Sequence, residues 1–135
     1  MRFFLDTNIC IYALNNKFPR IKLIIESLSP SDIGIPSIVK AELYYGALKS
    51  QKKDKVIPVL EKFLSPFEIF PFGDKEVKTY AQIRADLERE GNIIGPNDLI
   101  VAAITLSHGA TLVTHNTREF QRVSNLLVED WTQSH

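Results

Sequence analysis

Short apolar segments of strand length alternate with segments of helical spacing along the whole chain. The first, Phe3–Leu5, is continuously apolar, as expected for a strand buried on both faces of a parallel sheet. The later segments with strand character are Ile33–Pro36, Phe67–Phe72, Thr111–Thr114 and Leu126–Val128. The helical segments between them are Ile9–Leu14, Arg20–Leu28, Ile38–Leu48, Val56–Leu64, Asp74–Glu90 and Leu99–Leu106. This alternation predicts an α/β fold with three α/β/α layers and a central, mostly parallel sheet of four or five strands.

The apolar positions of the helical segments also predict which helix faces are buried. Nearly every position of Ile38–Leu48 is small, apolar or aromatic, which predicts a largely buried helix. Leu99–Leu106 is apolar all round and should therefore be central. In Val56–Leu64, Pro58 fits a first helical turn. The predicted inward stripe of the longest helix consists of Val77, Tyr80, Ala81, Ile83, Arg84 and Leu87.

Length and charge place the chain among ordinary globular proteins. Its 135 residues suffice for one hydrophobic core, and residues 1–135 contain no internal repeat or long linker, so we expect a single domain. Because 16 basic side chains balance 16 acidic ones, no net charge favours nucleic acid as a partner. A local basic patch is still compatible with this balance.

Cysteine usage and the N-terminal stretch predict the compartment. A single cysteine, Cys10, excludes an internal disulfide and a cysteine-based zinc site, so the reducing cytoplasm is the simplest location. The apolar stretch Phe3–Leu14 contains Asp6 and Asn8 and is too short to span a bilayer. We therefore expect neither a secretion signal nor a membrane anchor.

Three acidic residues stand where an α/β fold places its ligands. Asp6 directly follows the first strand, Glu42 lies within an apolar helix, and Asp98 opens the most apolar helix. Each has a simpler explanation: Asp6 as a helix cap, Glu42 paired with a cation or solvent, and Asp98 as an acid favoured by a helix dipole. All three should nevertheless face the same rim of the sheet.

Three carboxylates at one rim would repel each other and raise each other's pKa unless a divalent cation lies between them. Oxygen ligands without clustered histidine or cysteine favour Mg²⁺, with Mn²⁺ as a substitute, over zinc. Such an ion can activate water and stabilise a leaving oxygen. The pattern therefore indicates metal-assisted hydrolysis of a phosphodiester.

Several separated motifs occur in a characteristic order. They are Leu5-Asp6-Thr7-Asn8, Ser37-Ile38 with Ala41-Glu42-Leu43 and Gly46, Ile94 to Ala102, Leu112 to Asn116 with Glu119-Phe120, and Val128-Glu129-Asp130-Trp131. Taken together they cover essentially the whole chain. The chain thus resembles the PIN-domain ribonucleases and, more narrowly, the VapC toxins of bacterial type II toxin–antitoxin pairs.

The resemblance implies roles for individual residues. Asp6, Glu42 and Asp98 correspond to the family's catalytic acids, with Asp6 and Asp98 as metal ligands and Thr7 as a supporting hydroxyl. Many members carry a fourth acid after the Thr111–Thr114 strand. At that place this chain has Asn116, with Glu119 a few residues later, and either side chain can fill the fourth role. We expect one firmly bound Mg²⁺ and a second ion recruited with the substrate.

The resemblance also implies an RNA substrate, of the transfer RNA class. Phosphate contacts around an acidic cleft require cations, and we single out Arg84, Lys52 and Arg118 for this role. Arg84 interrupts the predicted inward stripe of its helix, and a structural ion pair is an equal alternative for it.

VapC-like toxins are neutralised by a cognate VapB-like antitoxin whose C-terminal segment crosses an apolar groove and presents Arg or Lys to the acids. The candidate groove residues are Ile9, Ile11, Tyr12, Leu23 and Ile24. These residues are also compatible with a homodimer face or with core packing. The resemblance further implies a homodimer within a higher toxin–antitoxin assembly.

Two other functions are compatible with the same residues. One is that of a structure-specific DNA nuclease of the wider fold. Alternatively, the chain is a catalytically weak module that binds metal or sequesters an antitoxin, because Asn116 replaces an acid.

Overall fold

The computed structural model describes residues 2–133, in which five strands form one sheet. The strands are β1 (Phe3–Leu5), β2 (Ile33–Pro36), β3 (Glu68–Phe70), β4 (Thr111–Val113) and β5 (Leu127–Glu129). Their order is β3-β2-β1-β4-β5, and every neighbouring pair is parallel. The predicted parallel sheet is confirmed, and β1 lies at its centre.

Seven helices of the described residues connect and cover these strands in a three-layer α/β/α arrangement. They are α1 (Thr7–Asn15), α2 (Pro19–Ser27), α3 (Ser37–Lys49), α4 (Lys53–Leu64), α5 (Asp74–Glu90), α6 (Pro96–Ser107) and α7 (Thr117–Phe120). A 3₁₀ turn, Pro30–Asp32, precedes β2. Because all neighbouring strands are parallel, the carboxyl ends of all five strands lie at the same edge of the sheet.

The centre of the sheet is packed tightly enough to demand glycine at one position. Phe4 is fully buried, and its ring lies 4.5 Å from that of Phe70, measured between centroids. A Cβ atom at Gly34 would lie 2.6 Å from a ring atom of Phe4 and 2.7 Å from one of Phe70. Gly34 is therefore required by the close approach of two aromatic rings to the backbone of β2.

Helix α6 agrees with its prediction. Its buried residues are Leu99, Val101, Ala102, Ala103, Ile104 and Thr105. A helix that buries residues all round has to be covered on several sides, and α6 packs against α3 and α5 as well as β2 and β4. The segment that is apolar all round is thus central, as the sequence indicates.

Helix α3 is less buried than predicted. Only the stripe Val39, Leu43 and Ala47 is buried, while Tyr45 is 63% and Leu48 59% exposed. Apolar composition alone does not tell a core face from an exposed apolar face, and α3 carries both. The expectation of a largely buried helix was wrong.

Helices α4 and α5 also depart from their predictions. Helix α4 begins at Lys53, so Pro58 lies in its interior and not in its first turn. In α5 the buried residues are Glu76, Ile83 and Leu87, whereas Val77 is 47% exposed and the Arg84 side chain 55%. The line of contact with α6 is narrower than the apolar positions suggest and is rotated away from Arg84.

No helix within residues 2–133 has the length and apolar character required to cross a membrane.

Candidate active site

Asp6 lies at the end of the central strand. Its backbone N–H donates to the carbonyl oxygen of Val113 on β4 at 3.0 Å, and the side chain is 7% exposed. Its Oδ1 accepts from the backbone N–H of Thr7 at 2.8 Å, and Oδ2 accepts from the Thr114 hydroxyl at 2.8 Å. Asp6 therefore caps α1 and at the same time presents a buried carboxylate at the sheet edge.

Glu42 reaches the same edge from α3. Its Oε1 accepts from the Thr7 hydroxyl at 2.8 Å, and its Oε2 accepts from the side-chain amide of Asn97 at 3.4 Å. Thr7 belongs to α1 and Asn97 to α6, so this one carboxylate links three helices. The carboxylate of Glu42, expected to pair with a cation or with solvent, instead accepts hydrogen bonds from these two donors.

Asp98 and Glu119 meet at the N-terminal end of α6. The two carboxyl groups are hydrogen-bonded to each other, with Asp98 as the donor. Glu119 also accepts from the backbone N–H of Gly95 and from the Asn116 side chain, each at 2.8 Å. Its position, six residues beyond the end of β4, which neighbours β1, brings a fourth acid to the cluster that holds Asp6 and Glu42.

Burial and mutual repulsion raise the pKa of two of these acids. Removal from solvent raises the pKa of Asp6, although the hydroxyl of Thr114 and the N–H of Thr7 oppose the shift. For Asp98, burial, the hydrogen bond to Glu119 and the charges of Asp6, Glu119 and Glu42 raise the pKa to about 7. Burial also acts to raise the pKa of Glu119, but donation from Gly95 and Asn116 outweighs it, so that pKa is lowered. At pH 7 the Asp98 carboxyl group is therefore protonated in about half of the molecules.

The residues of this cluster, which we call the carboxylate cluster (Asp6, Glu42, Asp98 and Glu119), fit a hard divalent cation by chemistry. All four supply oxygen ligands, and a cation between them would relieve the repulsion that holds a proton on Asp98. The described residues do not form a ready cage of three or more His, Cys, Asp or Glu ligands. Internal donors and the shared proton occupy the oxygens instead, so metal binding has to displace the proton and reorient side chains.

The sequence prediction identified most of this site and missed two supporting groups. Asp6, Glu42 and Asp98 come together, and both candidates for the fourth role, Asn116 and Glu119, belong to the same network. Thr114 and the Asn97 amide were not predicted as site residues. The signal for Thr114 is its place after β4, because the pairing of Leu5 with Val113 puts Asp6 and Thr114 side by side.

The cations proposed to contact RNA have different surroundings. Arg84 donates to Glu88 at 3.1 Å and to the Tyr80 hydroxyl at 3.2 Å, so the ion-pair alternative describes it and its predicted inward position was wrong. Arg118 is exposed on α7, next to Glu119. Lys52 lies on an apolar groove that also includes Glu42.

This groove, formed by α1, α3 and α4, has a volume of about 570 Å³. Its apolar lining residues are Ile11, Leu14, Leu43, Ala47, Val56, Val59 and Leu60. Of the residues predicted for such a groove only Ile11 lines it, since Ile9 is fully buried in the core and Leu23, 67% exposed, lies elsewhere. The exposed face of α3 is therefore one wall of a groove that reaches the carboxylate cluster at Glu42.

Known proteins resemble this chain over nearly its full length. A family model for the PIN domain matches residues 3–126. Ribonuclease VapC2 of Rickettsia felis is 45% identical over 132 residues, which are 97% of this chain and 98% of that protein. The tRNA(fMet)-specific endonuclease VapC of Shigella flexneri is 39% identical over 132 residues, 98% of this chain and 99% of that protein.

Solved structures agree with the sequence relatives. The crystal structure of VapBC2 from Rickettsia felis bound to a promoter DNA fragment contains a chain that superposes with a TM-score of 0.91. That chain is 43% identical, and the match covers 97% of this chain and 99% of that chain. Family match, identity and coverage together show that the chain belongs to the PIN-domain family and, within it, to the VapC ribonucleases.

Proposed function

We propose that the chain is the toxin of a type II toxin–antitoxin pair, a Mg²⁺-dependent endoribonuclease that hydrolyses phosphodiester bonds in RNA of the transfer RNA class. The observation that carries this proposal is the carboxylate cluster at the ends of parallel strands, with a proton held on Asp98 near neutral pH. The ribonuclease names of full-length relatives, including one specific for tRNA(fMet), support the activity and the substrate class.

In this proposal Asp6 and Asp98 hold the metal, Glu42 is the third catalytic acid, and Thr7 positions Glu42. Glu119 supplies the fourth acid, because its carboxylate contacts Asp98, while Asn116 orients Glu119 through its amide. The bound cation, Mg²⁺ or Mn²⁺ in its place, supplies Lewis-acid stabilisation of the charge that develops on the phosphodiester. Arg118 and Lys52 are the cations proposed to hold RNA phosphates, whereas Arg84 forms a surface ion pair with Glu88.

A VapB-like antitoxin is the proposed partner. The solved relative is a VapBC complex, and the apolar groove of this chain leads to Glu42. An apolar segment lying in the groove would bring an Arg or Lys to the carboxylate cluster, where its charge would compete with the metal. Homodimerisation of the toxin stays a prediction.

The test is cleavage by the purified chain with Mg²⁺ of RNA and of single-stranded DNA, beside two variants that each remove one acid. Asp98→Asn alters the carboxylate cluster. Asp86→Asn makes the same change on α5, where Asp86 contacts Gln82 and Arg89. RNA cleavage that is lost in Asp98→Asn and kept in Asp86→Asn supports the proposal.

The other outcomes identify the alternatives. Cleavage confined to DNA would make the chain a DNA nuclease, and binding of Mg²⁺ or antitoxin without any turnover would make it a sequestering module. Inducible expression in a bacterium, followed by mapping of 5′ ends across all RNA, identifies the target.

A further inference from the structure

Three aromatic rings and one lysine form a second cluster, which we call the ring cluster (Tyr12, Phe18, His115 and Lys17). The Tyr12 and Phe18 rings meet edge to face, with centroids 4.9 Å apart. The His115 ring lies 6.2 Å from Tyr12 and 6.4 Å from Phe18. The Lys17 Nζ atom is 5.3 Å from the Tyr12 centroid and 5.8 Å from that of Phe18. Rings and a cation in one place are the combination that binds single-stranded nucleic acid.

The ring cluster borders the carboxylate cluster along the chain and in space. His115 stands between Thr114, whose hydroxyl donates to Asp6, and Asn116, whose amide donates to Glu119. On α1, Tyr12 lies five residues beyond Thr7, whose hydroxyl donates to Glu42, which is a rise of about 7.5 Å along the helix axis. A chain lying across the carboxylates therefore meets the rings within about two helical turns.

Core packing does not explain why His115 is held here. Its side chain is 45% exposed, yet its Nδ1 contacts the Asp130 carboxylate at 3.0 Å and the Thr132 hydroxyl at 3.1 Å. These two partners fix an exposed ring whose burial would contribute little. Tyr12 and Phe18 are only partly buried, and Lys17 is exposed. The cluster thus presents fixed, partly exposed rings beside a cation.

We propose that the ring cluster is a stacking platform that holds one unpaired base of the RNA substrate next to the carboxylate cluster, with Lys17 on the adjoining phosphate. The proposal rests on the ribonuclease function proposed above. The Phe18 and His115 rings are inclined at 43° with centroids 6.4 Å apart, so the base stacks on the face of one ring and is not sandwiched between two. Stacking of this kind accepts any base, so the platform positions the strand and selects for unpaired nucleotides.

The test uses short RNA that carries 2-aminopurine at successive positions around the cleavage site, because stacking quenches its fluorescence. Binding is measured with EDTA present in the Asp98→Asn protein, so that the RNA stays intact. We expect quenching at one position, its loss when Phe18→Leu is added, and its retention when Phe67→Leu is added. Phe67 is the matched control, since it is also partly buried but precedes β3 and so lies at the opposite edge of the sheet.

A kinetic measurement accompanies the binding test. In the otherwise unaltered chain, Phe18→Leu should raise KM for RNA at least about fivefold with kcat unchanged, because a stacked base is held equally in substrate and transition state. An abasic site at the quenched position should have the same effect, and combining it with Phe18→Leu should add nothing further.

The results separate the two proposals. Asp98-dependent cleavage of RNA without position-specific quenching, or with quenching that survives Phe18→Leu, overturns the platform and leaves the ribonuclease standing. Quenching that requires Phe18, without any cleavage by the unaltered chain, supports the base site and overturns the ribonuclease. If Phe18→Leu changes only the mass measured by light scattering, the rings are a contact between copies of the chain and the platform is overturned.

Discussion

Thr7, the first residue of α1, donates its hydroxyl hydrogen to Glu42 of α3 at 2.8 Å, across 35 positions of sequence. The backbone N–H of the same residue donates to Asp6 at 2.8 Å. One threonine thus holds two carboxylates of the proposed catalytic set in a fixed relation, with only weak support for Glu42 from the longer contact to Asn97. The geometry of the site depends on this hydroxyl.

Two substitutions of Thr7 therefore distinguish the effect of its hydroxyl group from the effect of its side-chain volume. Thr7→Val keeps the volume and removes the donor, and we expect RNA cleavage to fall about 10- to 100-fold, as for other residues that orient metal ligands. Thr7→Ser keeps the donor and should lose less than about threefold. The measurement is kcat/KM with saturating Mg²⁺. Equal losses in the two variants would show that the methyl group, and not the hydroxyl, is what matters.

The shared proton on Asp98 predicts how the metal-free protein responds to pH. Its folded pKa of about 7 lies above the ordinary 3.8, so its contribution to stability is present below pH 4 and is lost as the pH rises through 7. The raised pKa of Asp6 acts in the same direction. The lowered pKa of Glu119 contributes stability that is lost only as the pH falls below its ordinary 4.5. The free energy of unfolding should therefore decrease between pH 5 and 8.

For Asp98, discounted for its half exposure, the decrease is on the order of 2 kcal/mol. Thermal unfolding in EDTA at pH 5, 6, 7 and 8 measures it. Asp98→Asn should flatten the profile without abolishing it, because Asp6 remains. In the unaltered chain Mg²⁺ should restore stability most at pH 8, where it no longer competes with the proton. A steeper profile in Asp98→Asn would contradict the assignment.

Metal stoichiometry follows from the same contacts. Asp6 and Asp98 have to give up only a hydroxyl contact and a proton, whereas Glu119 is already held by Gly95 and Asn116. Calorimetric titration of the free chain with Mg²⁺ should therefore give one firm site, with a second site appearing when an uncleavable analogue of the substrate RNA is added. Two equally tight sites on the free chain would be incompatible with this expectation.

Much of the site was predictable because parallel strands end at one edge. Asp6 follows β1 directly, and the place of Asp98 at the start of a helix after a loop puts it at the same rim. Glu42 stood out as an acid within an apolar helical segment, whereas Thr7, which no local pattern distinguishes, was added by the resemblance. The hydrogen bond from Thr114 to Asp6 required the strand register, which a single sequence does not supply.

The helix faces were harder to predict for a physical reason. Apolar residues identify a helix face that is covered from water, but they do not show whether the protein's own core or another molecule covers it. In α3 both occur: Leu43 packs in the core while Tyr45 and Leu48 stay exposed. In α5 Ile83 and Leu87 are buried as predicted, but in the first turn the apolar Val77 is exposed and the charged Glu76 is buried, so there the stripe is displaced by one residue.

The groove offers a prediction that separates partner binding from catalysis. Val59 lines the groove and is 57% exposed, and Leu127 on β5 is exposed to the same extent outside it. Val59→Lys should weaken binding of the cognate antitoxin at least about tenfold, or about 1.4 kcal/mol, because a charge would enter an apolar contact. Leu127→Lys should leave the affinity unchanged, and both variants should cleave RNA at the normal rate. Calorimetry and cleavage assays check this, and equal loss of affinity in the two would exclude the groove.

Two glycines test how far the packing of the sheet controls stability. Gly34→Ala places a methyl group within 3 Å of the buried Phe4 and Phe70 rings, so we expect a loss of about 1–3 kcal/mol. Gly46→Ala makes the same change in α3, where a Cβ meets nothing within 4 Å, and should gain about 0.5–1 kcal/mol from helix propensity. Urea unfolding measures both.

Adding Phe70→Leu to Gly34→Ala should recover part of the loss, because it vacates one of the two ring positions that the new methyl group meets. If Gly34→Ala costs nothing, the rings move freely and the sheet centre is looser than the 4.5 Å ring contact implies.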